Sequence, residues 1–162
     1  MPRFVPCGSR ETAYKDFCRA IESGETALLL VDAEELVTVP GPWQHLRSSD
    51  NWIPPRSTTD DHCHLMVQVM ESWFLADTAA LKSYFGQGFR ERALPKDPQI
   101  ERIPKRDVET RLEQATRGTS KGTYSEGKHS FEILAELDPA KVREKSPYAE
   151  RLFSTLKKYC QP

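Results

Sequence analysis

Ala27-Leu28-Leu29-Leu30-Val31-Asp32-Ala33-Glu34-Glu35 decides how the rest of the chain is read. The unbroken apolar run at 27–31 describes a strand buried on both faces, as in the interior of a parallel sheet. It passes directly into the carboxylates Asp32, Glu34 and Glu35. Open α/β sheets bind ligands beyond the carboxyl ends of their strands, so acids placed there are well sited for chemistry. Asp32 and Glu34, two positions apart, point the same way if the strand continues and can converge on a hard cation such as Mg²⁺. The plainer alternative is that the acids end the strand and open a polar turn, since a lone D-x-E is a weak motif.

Upstream, Arg3 to Cys7 carries Phe4 and Val5 and suits a short strand ending at Gly8. Ser9 can cap a helix with Ala13, Tyr14, Phe17, Cys18 and Ile21 on one face, closed by Gly24. The opening of the chain thus reads β-α-β with a connection long enough for parallel strands. Downstream, Thr38 to Asp61 is broken by Pro40, Pro42, Pro54 and Pro55 and reads as an irregular excursion with one helical turn near Trp43–Leu46. His64 to Met70 alternates as a third strand leading into Glu71, and Asp77 or Thr78 can cap a helix through Leu81, Tyr84 and Phe85. A proline-rich linker, Leu94 to Pro104, leads to a helix with Val108, Leu112 and Ala115 on one side. Thr119 to His129 has no apolar face. Three helical pieces follow, opened by Ser130, by Asp138-Pro139 and by Ser146-Pro147.

At 162 residues the chain suits one domain, with an α/β core over 1–85 and a helical part over 105–160. Its net charge is −1, so contact with nucleic acid requires a local basic patch and not a global field. Cys7, Cys18, Cys63 and Cys160 form no C-x-x-C pair, which speaks against a zinc ribbon or disulfide scaffold and fits a reducing cytoplasm. No apolar run approaches the roughly 20 residues of a membrane span.

The acids Asp32, Glu34, Glu35, Glu71 and Asp77 form one candidate constellation. Carboxylates at two strand ends could hold one or two divalent metals and support in-line attack on a phosphodiester. For Glu71 and Asp77 the competing explanation is a helix start, where acids favour the dipole. Lys121, Lys128 and His129 form a basic constellation with Tyr124 between them. Counting Arg117 and Glu126, the segment has a local balance of +2. Such a loop could bind phosphate or neutralise a phosphorane-like transition state, or simply be a solvated connection. His62 and His64 share a face of the expected strand, but no second cluster completes four zinc ligands.

From His64-Leu-Met-Val-Gln-Val-Met-Glu-Ser-Trp-Phe-Leu-Ala-Asp77 the chain resembles the bacterial family called domain of unknown function 4276, whose members look Toprim-like. Matching segments include Cys7–Arg10, Leu29–Glu34, Ser120–Tyr124, Gly127–Phe131 and Leu137–Arg143, in one order along nearly the whole chain. The resemblance implies a mostly parallel sheet flanked by helices with a helical C-terminal region. It also implies Mg²⁺ or Mn²⁺ bound by a glutamate after the first strand and an Asp-x-Asp after a later one. Asp32 and Glu34 match the second motif with Glu in place of the second Asp, and Glu71 is a further metal candidate. Lys121 or Lys128 takes the place of the lysine that nucleases of this group use near the scissile phosphate.

Family members look longer at the N-terminus, so the first Toprim strand and its glutamate are expected to be missing here. Either the start was assigned too late or this is a shortened form, and a sheet lacking that strand would expose edges that invite a homodimer. The function implied is Mg²⁺-dependent, nuclease-like cleavage of nucleic acid, DNA in preference to RNA, as a phage-defence effector with an ATPase partner. The alternative is a non-catalytic Toprim-derived binding module with an incomplete metal site. Phosphotransfer on a small nucleotide is a third and weaker option.

Overall fold

The apolar run does form a strand, β1 (Leu29–Asp32), which pairs in parallel with β2 (Cys63–Met66) in a computed structural model that describes residues 3–160. Leu29 lies opposite Cys63 and Asp32 opposite Met66. Two backbone bonds prolong the pairing: Ala33 N–H donates to Met66 O at 2.9 Å and Glu34 N–H to Gln68 O at 2.8 Å. Among the described residues these are the only two strands, and the α/β fold is mostly helical, with eight helices. Among the described residues no helix is long and apolar enough to cross a membrane.

Local sequence explains most helix starts. Ser9 accepts the Thr12 N–H to cap α1 (Arg10–Glu22). Pro42 opens α2 (Pro42–Asp50) at the position where a missing N–H costs nothing. α3 (Glu71–Phe74) is a single turn, and Asp77 caps α4 (Thr78–Phe85). α5 (Lys105–Thr116) and α6 (Glu126–Glu136) follow. Then come α7 (Pro139–Lys145), capped by Asp138, and α8 (Pro147–Cys160).

Alternation along the two strands makes the sheet a wall between two cores. Leu29, Val31 and Ala33 join Cys63, Leu65 and Val67 in a cluster closed by Phe17 of α1 and by Trp43 and Leu46 of α2. Leu30 and Met66 pack instead against a larger cluster that includes Phe74, Leu81, Phe85, Val108, Leu112 and Ile133. Asp32 shares the parity of Leu30, so it belongs to the helical side. Gly88 ties that side together. At φ +90° it passes so close to Gly118 that a Cβ would meet the Gly118 carbonyl oxygen at 2.1 Å.

Several sequence expectations are corrected. Residues 3–7 form no strand: Phe4 and Val5 are 73% and 52% exposed, with no apolar surface against them and a proline following. β2 stops at Met66, four residues short of the alternating pattern, because the chain turns there to enter α3. The excursion after Thr38 holds nine helical residues in place of one turn, since Trp43, His45 and Leu46 give α2 a face to bury. α6 begins at Glu126, so Ser130 lies inside the helix and not at its cap. The first turn of α6, Glu126 to Lys128, is solvated and therefore carried no apolar period.

Candidate functional site

Asp32 ends β1 on the helical side, and its Oδ1 accepts the Met70 N–H at 2.7 Å where the chain enters α3. One residue further, Glu71 is buried, and its Oε1 accepts the Tyr124 hydroxyl at 2.6 Å. The Tyr124 backbone N–H in turn donates to Thr116 Oγ1 at 2.7 Å, which fixes the 119–125 loop to the end of α5. Two acids from separate strand ends thus come together, one held by the backbone and the other by a phenol.

Electrostatics set these acids apart. Burial, and then the neighbouring charge of Glu71, push the Asp32 carboxyl up to about 7; Glu34 and Glu126 add to the rise, and the Met70 N–H only partly opposes it. Glu71 is also raised, by burial first, with the Tyr124 hydrogen bond working the other way. Tyr124 is raised by burial and by Glu71, so it stays a hydroxyl donor. An acid poised near neutrality beside a second buried acid can exchange a proton, and it can also be relieved by a cation.

Glu34 does not continue the strand. It takes φ +70°, a left-handed conformation uncommon for a side chain of its size, and its carboxylate pairs with the Lys105 ammonium. Lys105 opens α5; its backbone N–H donates to Gln68 Oε1 at 3.1 Å, and Glu34 above all holds its ammonium in the charged form. Arg10 sits on the other flank. Its Nε donates to Asp32 O at 2.9 Å and lies 3.9 Å from Glu34, while its two terminal nitrogens grip Asp50 at 2.7 and 3.0 Å.

The other expected residues are placed differently. Glu35 is exposed. Asp77 is a buried helix cap that also accepts from Lys141 at 2.7 Å and from the Asp138 N–H at 3.1 Å. Burial works to raise its carboxyl, but these donors outweigh it and hold the carboxyl low. Lys121 lies over the Tyr84 ring at 4.3 Å, and Lys128 donates to the Lys121 carbonyl at 3.3 Å. His129 is buried among Tyr84, Phe85 and Tyr124, with Nδ1 accepting the Ser125 N–H at 3.0 Å. His64 is spent on Asp61 O and Arg151, and burial followed by the Arg151 charge pushes its imidazole down to about 4. Among the described residues, no three His, Cys, Asp or Glu side chains are gathered to hold a metal.

The sequence reading missed Lys105, Arg10 and the anchoring role of Tyr124. Arg10 and Tyr124 lie inside the resembling segments, which was a signal. Lys105 carried none, because only folding brings α5 to the end of β1.

A protein-family model, domain of unknown function (DUF4276), matches residues 9–157. The chain belongs to the DUF4276 family. Comparison with curated proteins gives no significant match, and neither does comparison with solved structures. The matched span includes every residue of the DUF4276 site described above, from Arg10 to Glu126.

Proposed function

We propose that this DUF4276 protein is a Toprim-like, divalent-metal-dependent enzyme that cleaves phosphodiester bonds in nucleic acid. The observation that carries the reading is the Asp32 carboxyl, buried beside Glu71 at the end of a parallel strand and pushed up to about 7. The donor set fits Mg²⁺ or Mn²⁺ as an ion held by one or two carboxylates with water and substrate phosphate, and does not fit a cage built of protein alone. Asp32 and Glu71 would hold it. When bound, the ion would supply Lewis-acid stabilisation and an activated water.

The chain's own residues have definable tasks in this reading. Tyr124 orients the Glu71 carboxylate through its hydroxyl. Arg10 fixes the Asp32 backbone. Lys105, held cationic beside Asp32 and Glu34, is the lysine suited to neutralise charge developing on a phosphate oxygen, in place of Lys121 or Lys128. A preference for DNA, an ATPase partner and a role in phage defence extend the reading on family resemblance alone.

The test is cleavage of plasmid and single-stranded substrates with Mg²⁺ or Mn²⁺, comparing wild type with Asp32→Ala. A loss of about a hundredfold or more is expected, and equal activity overturns the reading. The engagement of Glu34 by Lys105 favours a second reading, a non-catalytic module with an incomplete acidic site. The two diverge in a thermal melt: Mg²⁺ raises the midpoint of the enzyme and leaves that of the module unchanged.

A further inference from the structure

Beside α5 the surface opens into a groove of about 440 Å³, lined by Arg92, Lys96, Arg102 and Arg111 together with Asp97 and Asp107. Four cations face two carboxylates, in a chain whose net charge is −1. All four cations are exposed, and among the described residues none forms an ion pair. Asp97 is partly spent, accepting the Gln99 N–H at 2.8 Å. Arg111 donates to Gln114 Oε1 at 3.3 Å, and the four charges are otherwise turned outward, in excess over the two carboxylates of the groove. A second depression of about 300 Å³ shares Arg92, Leu94, Pro95 and Lys96, so the groove continues toward Thr78.

The shape of the groove is built in. Leu94 and Ile103 are buried in the helical core beneath it, and Pro95 and Pro104 fix the backbone of its walls. Its wall on α5 is formed by Asp107 and Arg111, one turn apart on the same helix that Lys105 opens.

We infer that this groove holds the phosphodiester backbone of a nucleic acid, an inference that rests on the function proposed above. No aromatic side chain lines it, so it holds a backbone by charge and does not stack or read bases. An acidic peptide is the less suited occupant. Arginine clusters can also take acidic peptides, but a cation-lined groove with no aromatic anchor suits the evenly repeated charge of a phosphodiester backbone better, and the peptide is an arm of the test below.

The experiment measures binding of the full chain to a fluorescein-labelled 20-nucleotide single strand, to the matching duplex and to a poly-glutamate peptide, in EDTA and over a range of salt. Arg92→Ala/Arg102→Ala/Arg111→Ala should weaken binding to the nucleic acids by at least about tenfold and flatten the salt dependence by roughly two ions. A matched control, Arg47→Ala/Lys82→Ala/Lys145→Ala, removes exposed cations from the last turns of three other helices and should change affinity by less than about twofold. Circular dichroism of both variants confirms that folding is unchanged. Absence of binding by the wild type overturns the inference, as do equal losses in the two variants or a peptide that binds as tightly as the nucleic acids. Cleavage is silent in EDTA, so intact groove-dependent binding without metal-dependent cleavage strikes only the catalytic reading. Cleavage with a groove variant that binds normally strikes only the groove.

Discussion

The two faces of the β1–β2 pair are closed in different ways. On one face Leu29, Val31, Cys63 and Leu65 meet α1 and α2, and apolar packing seals the contact. On the other face a larger helical core also encloses polar groups: Glu71, Asp77, Thr116 and His129 are all buried there. Each of these has a hydrogen-bond partner, yet Asp32 and Glu71 remain neighbouring acids, both raised by burial. The contrast teaches that one face of this sheet is closed by apolar packing, while the other also buries acids whose carboxyls are raised.

The largest effects test whether the two cores are one cooperative unit. Phe74 and Leu65 are both fully buried, one in each core. Phe74→Ala should cost about 3–5 kcal/mol and Leu65→Ala about 2–5 kcal/mol. Because the strands are shared, each should shift a single denaturation transition; two resolved transitions would break the comparison.

Next comes the pH dependence of Asp32. Its carboxyl sits at about 7 in the fold against 3.8 as the ordinary value, so between those limits the folded state binds more protons than the unfolded one. Stability is therefore lost as pH rises through that window, and the penalty is complete above it. Asp32→Asn keeps an oxygen for the Met70 N–H and should stabilise the protein at pH 8 by on the order of 2 kcal/mol, with little effect at pH 4. A gain of equal size at both pH values would show that the acid is not strained by its surroundings.

Tyr124→Phe removes the hydroxyl that satisfies buried Glu71 and should cost about 1–3 kcal/mol. Combined with Glu71→Gln, the loss should be less than additive if the two act as a pair. The smallest effect is expected far from the β1–β2 pair. Arg143 and Glu150 pair at 2.7 Å on the solvated side of α7 and α8. Arg143→Ala should leave the denaturation midpoint where it is, since such pairs are screened by water. A clear drop would mean that polar contacts away from the β1–β2 pair matter more than the comparison allows.

Helix starts were legible because their signals are local: Ser9, Asp77, Asp138-Pro139 and Ser146-Pro147 all act where the sequence places them. The β1 strand was legible for the same reason, its apolar run being followed at once by charge. Residues 3–7 were not, because two exposed apolar side chains look like a strand until it is known that nothing covers them. The convergence of Asp32 with Glu71 could be expected from strand ends. Lys105 could not, because it arrives from a helix whose own pattern reports only that helix, and for Tyr124 the resembling segment marked the residue but not its bond to Glu71.

The sequence by itself determined that the apolar run at 27–31 makes a strand with acids at its end, a local pattern, and, through segments spread along the chain, membership in its family. Tertiary structure alone decided what that acid experiences. Burial between two cores, the nearby charge of Glu71 and the diversion of Glu34 to Lys105 are consequences of distance and solvent exclusion, which no local pattern carries.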